Sequence, residues 1–230
     1  MPPLFLFITP LTPSPKINPL RAELHLCYLA ALQNQTYPHW QALLIGEEHK
    51  SEGRLTYLKC EGVTKTEKLN CAFQYINSMQ IKPHYLIRLD DDDLISPFVL
   101  ERASKKIFDC YADKFHSFYD ISNKLTAQQK RPWLANTVIH KTEHAMHPFG
   151  EKNLPLFTLD HSLYWHKFYK SRKIKWARKS HPVYLRLLSP TSISANPDNK
   201  ADDEEYMEYL KSFGKWSKKM IGDFRNSRFP

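Results

Sequence analysis

The chain has 230 residues, is 42% hydrophobic and 25% charged, and carries a formal net charge of +9. This excludes a disordered or fibrous chain and allows one domain with a full core. No apolar run approaches the roughly 20 residues of a spanning helix, and the Met-Pro-Pro start before Leu4–Ile8 lacks the features of a signal peptide.

In chain order, Leu4 to Thr9 reads as a buried strand, ended by Pro10, Pro13 and Pro15. Asn18 or Pro19 opens a helix with Leu20, Leu24, Cys27, Tyr28 and Ala31 on one stripe, and Tyr37-Pro38 ends it. Trp40 to Ile45 and Leu55 to Lys59 read as strands, Thr66 to Met79 as a helix, and Tyr85 to Leu89 as a central strand. This order predicts an α/β sheet that is at least partly parallel. Beyond Asp93 the spacing predicts a helix from Pro97 to Phe108 and strands at Phe115–Asp120 and Thr137–His140. A short helix at Ser162–Tyr169 follows, then a last helix from about Ala201 to Phe224. That last helix carries Tyr206, Leu210, Phe213, Trp216, Met220 and Phe224 along one stripe, suited to packing on the domain or on an anionic bilayer.

Cys27, Cys60, Cys71 and Cys110 have no C-x-x-C spacing. The expectation is therefore a reduced, cytoplasmic protein without a disulfide framework or zinc ribbon. Between His161 and Pro190 lie eight Lys or Arg residues and no acid. An anionic acceptor, or peripheral contact with the inner face of a membrane, suits that half.

The strongest chemical signal is Tyr85-Leu-Ile-Arg-Leu-Asp-Asp-Asp-Asp93-Leu-Ile-Ser-Pro97. An apolar strand delivers four carboxylates at its C-terminal end, where α/β sheets bind ligands. Four like charges repel unless a cation neutralises them, and Mg²⁺ or Mn²⁺ takes such hard oxygens together with phosphates. A metal bridging protein to diphosphate is the reading.

Leu89-Asp90-Asp-Asp-Asp93-Leu-Ile-Ser-Pro97 resembles the L-D-x-D-D-x-x-x-P segment of GT-A glycosyltransferases. Upstream, Arg21-x5-Cys27-x4-Leu32-x2-Gln35-Thr36-Tyr37-Pro38-x-Trp40 resembles the family's first helix and its exit, and Lys68-Leu69-Asn70-x-Ala72 the helix before the carboxylates. The match covers about residues 4 to 100 in order and spacing. It implies a Rossmann-like, mixed and mostly parallel sheet flanked by helices. It implies a GT-A domain over 1–200, with a nucleotide-sugar half (1–100) and an acceptor half (101–200), and an amphipathic helical tail over 201–230. The activity implied is metal-dependent transfer of a sugar from a nucleotide-sugar to a glycan or lipid-linked acceptor hydroxyl, in cell-surface polysaccharide or lipopolysaccharide synthesis.

The resemblance also implies site roles. Asp92, Asp90 and Asp93 would hold the Mg²⁺ or Mn²⁺. Thr9, Arg21, Lys68, Asn70, Asp90 and Asp91 would surround the nucleotide-sugar. The family's base-reading Asp is replaced by Ile45-Gly-Glu-Glu48, which leaves the base open. Inverting members need a general base near the acceptor, and Asp160 in Leu159-Asp160-His161-Ser162 takes that role beside a plain helix N-cap role. Val183-Tyr184-Leu-Arg186 through Ser192-Ile-Ser194 resembles the family's Y-R-x-H-x-x-S-x-S tail. Ser189 stands at the histidine position, His181 is a possible substitute, and Arg186 would neutralise the leaving diphosphate.

Three other readings compete. His140-Lys-Thr-Glu-His144 fits an H-x-x-E-H zinc signature, but the residues before it favour a strand. His140, His144 and His147 are instead expected at the acceptor cleft or in ordinary packing. A sugar-1-phosphate nucleotidyltransferase would need a Gly-rich N-terminal loop, and no glycine precedes Gly46. A nucleic-acid-binding module would not place four aspartates at a strand end, where they repel phosphate.

Overall fold

The computed structural model describes residues 1–13, 18–78, 82–189 and 203–230. Pro15, Met79, Ser192 and Ser194 lie outside them. In chain order the strands are β1 (Phe5–Pro10), β2 (Trp40–Gly46), β3 (Lys50–Glu52), β4 (Leu55–Lys59), β5 (Tyr85–Arg88), β6 (Leu94–Ile95), β7 (Cys110–Ala112) and β8 (Phe115–Asp120). They continue with β9 (Leu125–Lys130), β10 (Ile139–Lys141), β11 (Pro148–Phe149), β12 (Leu154–Pro155), β13 (Ile174–Trp176) and β14 (Tyr184–Leu188). The helices are α1 (Pro19–Gln33), α2 (Lys65–Ser78), α3 (Val99–Ser104), α4 (Thr142–Ala145), α5 (His166–Tyr169) and α6 (Asp203–Lys211).

Eight strands form one mixed sheet in the order β13-β7-β10-β5-β1-β2-β4-β3. Its centre is parallel: β1 pairs with both β2 and β5, and β2 with β4. Alternation along β1 decides the layering. Phe5 and Phe7 pack toward α1 with Leu24, Tyr28 and Trp40. Leu6 and Ile8 pack toward α2 with Leu69, Ala72 and Ile76. Both faces are covered, which is why these strands read as continuous apolar runs.

Local chemistry sets the helix starts. Asn18 accepts from the Arg21 amide at 2.8 Å with Pro19 in the first turn, so α1 begins there. Thr64 and Glu67 form a capping box: Glu67 Oε2 accepts the Thr64 amide at 2.8 Å, and the Glu67 amide donates to Thr64 Oγ1 at 3.2 Å.

Several expectations need correction. The helix expected over Pro97–Phe108 is only α3. Strands β3, β6, β7, β9 and β11 to β14 were not foreseen; β9 is polar along most of its length, pairs with β8 and makes an antiparallel bridge from Thr126 to Ser217. The last helix stops at Lys211, because Gly214 turns the chain with φ +85°. The apolar stripe continues in sequence beyond the helix. Tyr206, Leu210 and Phe213 pack on Phe118, Ala127 and Leu188, while Phe224 enters the main core. Tyr206 also donates its hydroxyl to buried Asp120 at 2.8 Å. The stripe is therefore covered by the protein's own sheet. Cys60 and Cys71 are joined as a disulfide, against the expectation of four separate thiols; Cys27 and Cys110 are free and buried. Spacing alone could not show this, because the pairing is made by β4 leading into the second turn of α2. Among the described residues, no helix is long and apolar enough to cross a membrane.

Candidate functional site

The four aspartates sit in a turn directly after β5, closed by the Asp93 amide donating to the Asp90 carbonyl at 3.2 Å. Each has its own partner. Lys65 Nζ reaches both Asp90 oxygens, at 2.5 and 2.7 Å, and Asn136 Nδ2 donates to Asp90 Oδ2 at 2.9 Å. Asp91 accepts from the Thr12 amide at 2.6 Å and from its hydroxyl at 3.0 Å, so the loop after β1 is tied to the motif. Arg21, fixed in the first turn of α1 by the Asn18 cap, pairs with Asp92. Asp93 accepts the Leu187 amide at 3.1 Å.

β14 reaches the motif because β6 pairs antiparallel with it, Leu185 opposite Leu94. Buried Asp113 anchors its start by accepting the Val183 amide at 2.9 Å. Arg186, one residue beyond the pairing with Leu94, thereby comes beside Asp93, whose charge raises the Arg186 pKa against the opposing effect of burial.

The electrostatics divide the cluster. Burial raises the Asp90 pKa, but Lys65 and Arg88 outweigh it and hold the carboxyl down at about 2. Burial also raises Asp92 and Asp93, and the neighbouring aspartates push further in the same direction, most strongly at Asp93. One oxygen from each of Asp90, Asp92 and Asp93 lies within 4.8 Å of the others. Three hard, converging and mutually repelling oxygens fit a divalent cation such as Mg²⁺ or Mn²⁺.

A second chain of contacts joins this cluster to the acceptor half. Arg88 donates to Asn136 Oδ1 from Nε at 3.1 Å and from a terminal nitrogen at 2.6 Å. Its other terminal nitrogen donates to the Phe157 and Leu159 carbonyls, both at 2.9 Å. Asp160 follows directly and caps a π-helical turn, His161–Trp165. Its Oδ1 accepts from the Ser162 amide at 2.8 Å, the Ser162 hydroxyl at 2.6 Å and the Leu163 amide at 3.1 Å. Burial raises its pKa and these bonds more than offset that, leaving it below the usual value.

The other foreseen residues are placed as follows. Thr9 is buried in β1 and its hydroxyl accepts from Tyr28 at 2.7 Å. Lys68 is buried, with Nζ on the Leu11 carbonyl at 2.6 Å, while Asn70 is half-buried on α2. Sequence reasoning missed Lys65, one turn before Lys68 on α2, which is the lysine that meets Asp90. It also missed Thr12, Arg88 and Asn136. Only Arg88 had a signal, as a charge inside an apolar strand. Ser189 is buried, and His181 pairs with Asp223 at 2.7 Å, a carboxylate that also holds Ser96 and Arg102.

The zinc-protease pattern is split between two elements. His140 lies on β10 with Nδ1 2.8 Å from the Tyr169 hydroxyl, and His144 lies on α4, 3.2 Å from Asp109. Burial holds His140 down to about 3, and His116 and His161 to about 4. Below pH 6.5 the unfolded chain binds protons that these folded imidazoles refuse, so their stabilisation is complete above pH 6.5 and lost as pH falls. Asp113, raised to about 7 by burial, acts in the opposite sense. The difference between wild type and His140→Gln isolates one ring. Between pH 7 and 4.5, urea denaturation should show the variant losing about 2–3 kcal/mol less than wild type. Equal losses would mean that His140 titrates normally.

No protein-family model and no curated protein matches the sequence. The fold is similar to that of S. aureus TarS, with a TM-score of 0.52 and 14% identity over 91% of this chain and 42% of that one. It is equally similar to the TarS 1-349 structure, with a TM-score of 0.52 and 14% identity over 92% of this chain and 72% of that one. This chain therefore spans less than half the length of the longer TarS structure. At that identity the likeness is one of fold, a mixed α/β arrangement of GT-A type.

Proposed function

We propose that the chain is a metal-dependent glycosyltransferase that moves a sugar from a nucleotide-sugar to an acceptor hydroxyl with inversion. The observation that carries this is the convergence of Asp90, Asp92 and Asp93 at the C-terminal end of β5 in a GT-A-type sheet. Residues 1–100 would supply the nucleotide-sugar side and 101–200 the acceptor side. The context is cell-surface polysaccharide or lipopolysaccharide assembly, as the family resemblance implies.

In this reading Asp90, Asp92 and Asp93 would hold Mg²⁺ or Mn²⁺, and the bound ion would supply positive charge to a departing nucleoside diphosphate. Arg21, Asp91, Lys68 and Asn70 line the nucleotide side, with Thr9 behind them. Arg186 meets the diphosphate as negative charge grows on it. Asp160 takes the acceptor proton. The acceptor oxygen attacks the anomeric carbon, the bond to the diphosphate breaks, and the electron pair leaves with the diphosphate.

The Asp160 geometry suits this. All three of its hydrogen bonds converge on Oδ1, which leaves Oδ2 to accept a proton. The hydroxyl and amides that hold Oδ1 fix the carboxylate in place, so capping and base roles coexist. Asp160→Asn retains the shape and one capping oxygen. Turnover should fall about 10²–10³-fold, while Mn²⁺-dependent binding of nucleoside diphosphate stays at the wild-type level. Wild-type turnover in Asp160→Asn would remove Asp160 from the reaction.

A further inference from the structure

Arg88 is the last residue of β5 and only 4% exposed. Taking a guanidinium out of water is costly unless its donors are used. Burial lowers the Arg88 pKa to about 10, against the pull of Asp90 and Asp160, the two carboxylates that act on it from opposite arms. Its hydrogen bonds go to neutral acceptors: the Asn136 side chain and the Phe157 and Leu159 carbonyls. The guanidinium also stacks 4.4 Å over the Trp165 ring, which His140 and His161 meet edge-on at 4.5 and 5.9 Å. Trp165 is fully buried and donates to the Leu156 carbonyl at 2.8 Å, so the stacking partner is itself fixed.

One planar fork thus holds two arms. The first runs through Asn136 to Asp90, and the second through the 157–159 backbone to Asp160. We infer that Arg88 is a positioning residue that sets the donor-side carboxylates and Asp160 in register, by clamping Asn136 and the 157–159 carbonyls at once. The inference rests on the transferase reading for its effect on rate, and on the geometry alone for the coupling. Lysine cannot replace it, because an ammonium presents its donors from one point and cannot span the two arms.

The experiment uses the full chain, Arg88→Lys, and Asn136→Ala as the variant that cuts one arm while leaving the guanidinium and its bonds to the Phe157 and Leu159 carbonyls. Hydrogen exchange is followed over residues 156–163 with and without Mn²⁺. In wild type, Mn²⁺ should slow exchange there about tenfold, and in both variants that response should disappear while Mn²⁺ still binds. Where nucleotide-sugar turnover is present, kcat should fall about 100-fold in Arg88→Lys with the donor KM near wild type, because misplacement of the reacting groups is felt in the chemical step. A merely structural role would lower Tm and leave kcat per folded molecule unchanged. If Mn²⁺ slows the 156–163 segment equally in wild type and both variants, or does not slow it in wild type, the coupling is overturned. If wild type turns over no nucleotide-sugar, the transferase reading fails, and the exchange comparison still decides the coupling.

Discussion

Asp92→Asn should lower turnover about 1000-fold and abolish stabilisation by nucleoside diphosphate with Mn²⁺. Asp92 is the middle carboxylate of the converging set, and its partner is Arg21. Replacing it turns one carboxylate oxygen into an amide nitrogen and removes one unit of the negative charge that draws a divalent ion. A metal that neutralises a leaving diphosphate supplies several kcal/mol to the transition state, and losing about 4 kcal/mol corresponds to about 1000-fold in rate. The variant should still fold. Burial and neighbouring charges already raise the Asp92 pKa, so a neutral side chain relieves repulsion, and Asp91 and Asp93 remain to balance Arg21. The measurement is a thermal-shift titration of nucleoside diphosphates with Mn²⁺, repeated in EDTA. Wild type should gain stability only with both components, and EDTA should reduce it to the variant's behaviour. Full metal-dependent turnover by a folded Asp92→Asn protein would show that the carboxylates are not the metal site.

Trp165→Ala should cost about 3–5 kcal/mol of stability, the range for emptying a fully buried large aromatic site. The ring is fully buried in the cluster with Phe168, Tyr169, Leu156 and Leu134. Its removal leaves a cavity, strips the Leu156 carbonyl of its donor and takes the stacking surface from Arg88. Trp165→Phe retains one aromatic ring and loses the N–H together with the second ring of the indole, so a smaller loss of about 1–3 kcal/mol is expected. Urea denaturation of the two variants measures both losses. A loss below about 1 kcal/mol in Trp165→Ala would mean the cluster collapses onto the vacated space and does not hold Arg88 rigidly.

How far the sequence could be read depends on the range of the interactions. The first half was legible because its elements are set by near neighbours. The α1 stripe, the Asn18 cap and the apolar runs of β1, β2 and β5 all act within a few residues. The tail shows where this fails. Its 3.6-residue period persists past Gly214, yet the helix ends at Lys211 where the chain turns at Gly214, and Phe224 is buried in the main core from outside that helix. Periodicity records that residues are buried and does not record which backbone buries them. Lys65 shows the same limit at the site: on sequence it and Lys68 are equivalent basic positions, and only the docking of α2 sends one to Asp90 and the other to the Leu11 carbonyl.

By itself, the sequence determined that an apolar strand would present Asp90 to Asp93 at its C-terminal end. That outcome needs only β-strand alternation and the exclusion of charge from a core. Tertiary structure alone decided what those carboxylates meet. Thr12, Arg21, Lys65, Asn136 and Leu187 come from five separate stretches of chain, and contacts made across 25 to 94 residues leave no pattern in the spacing of either partner.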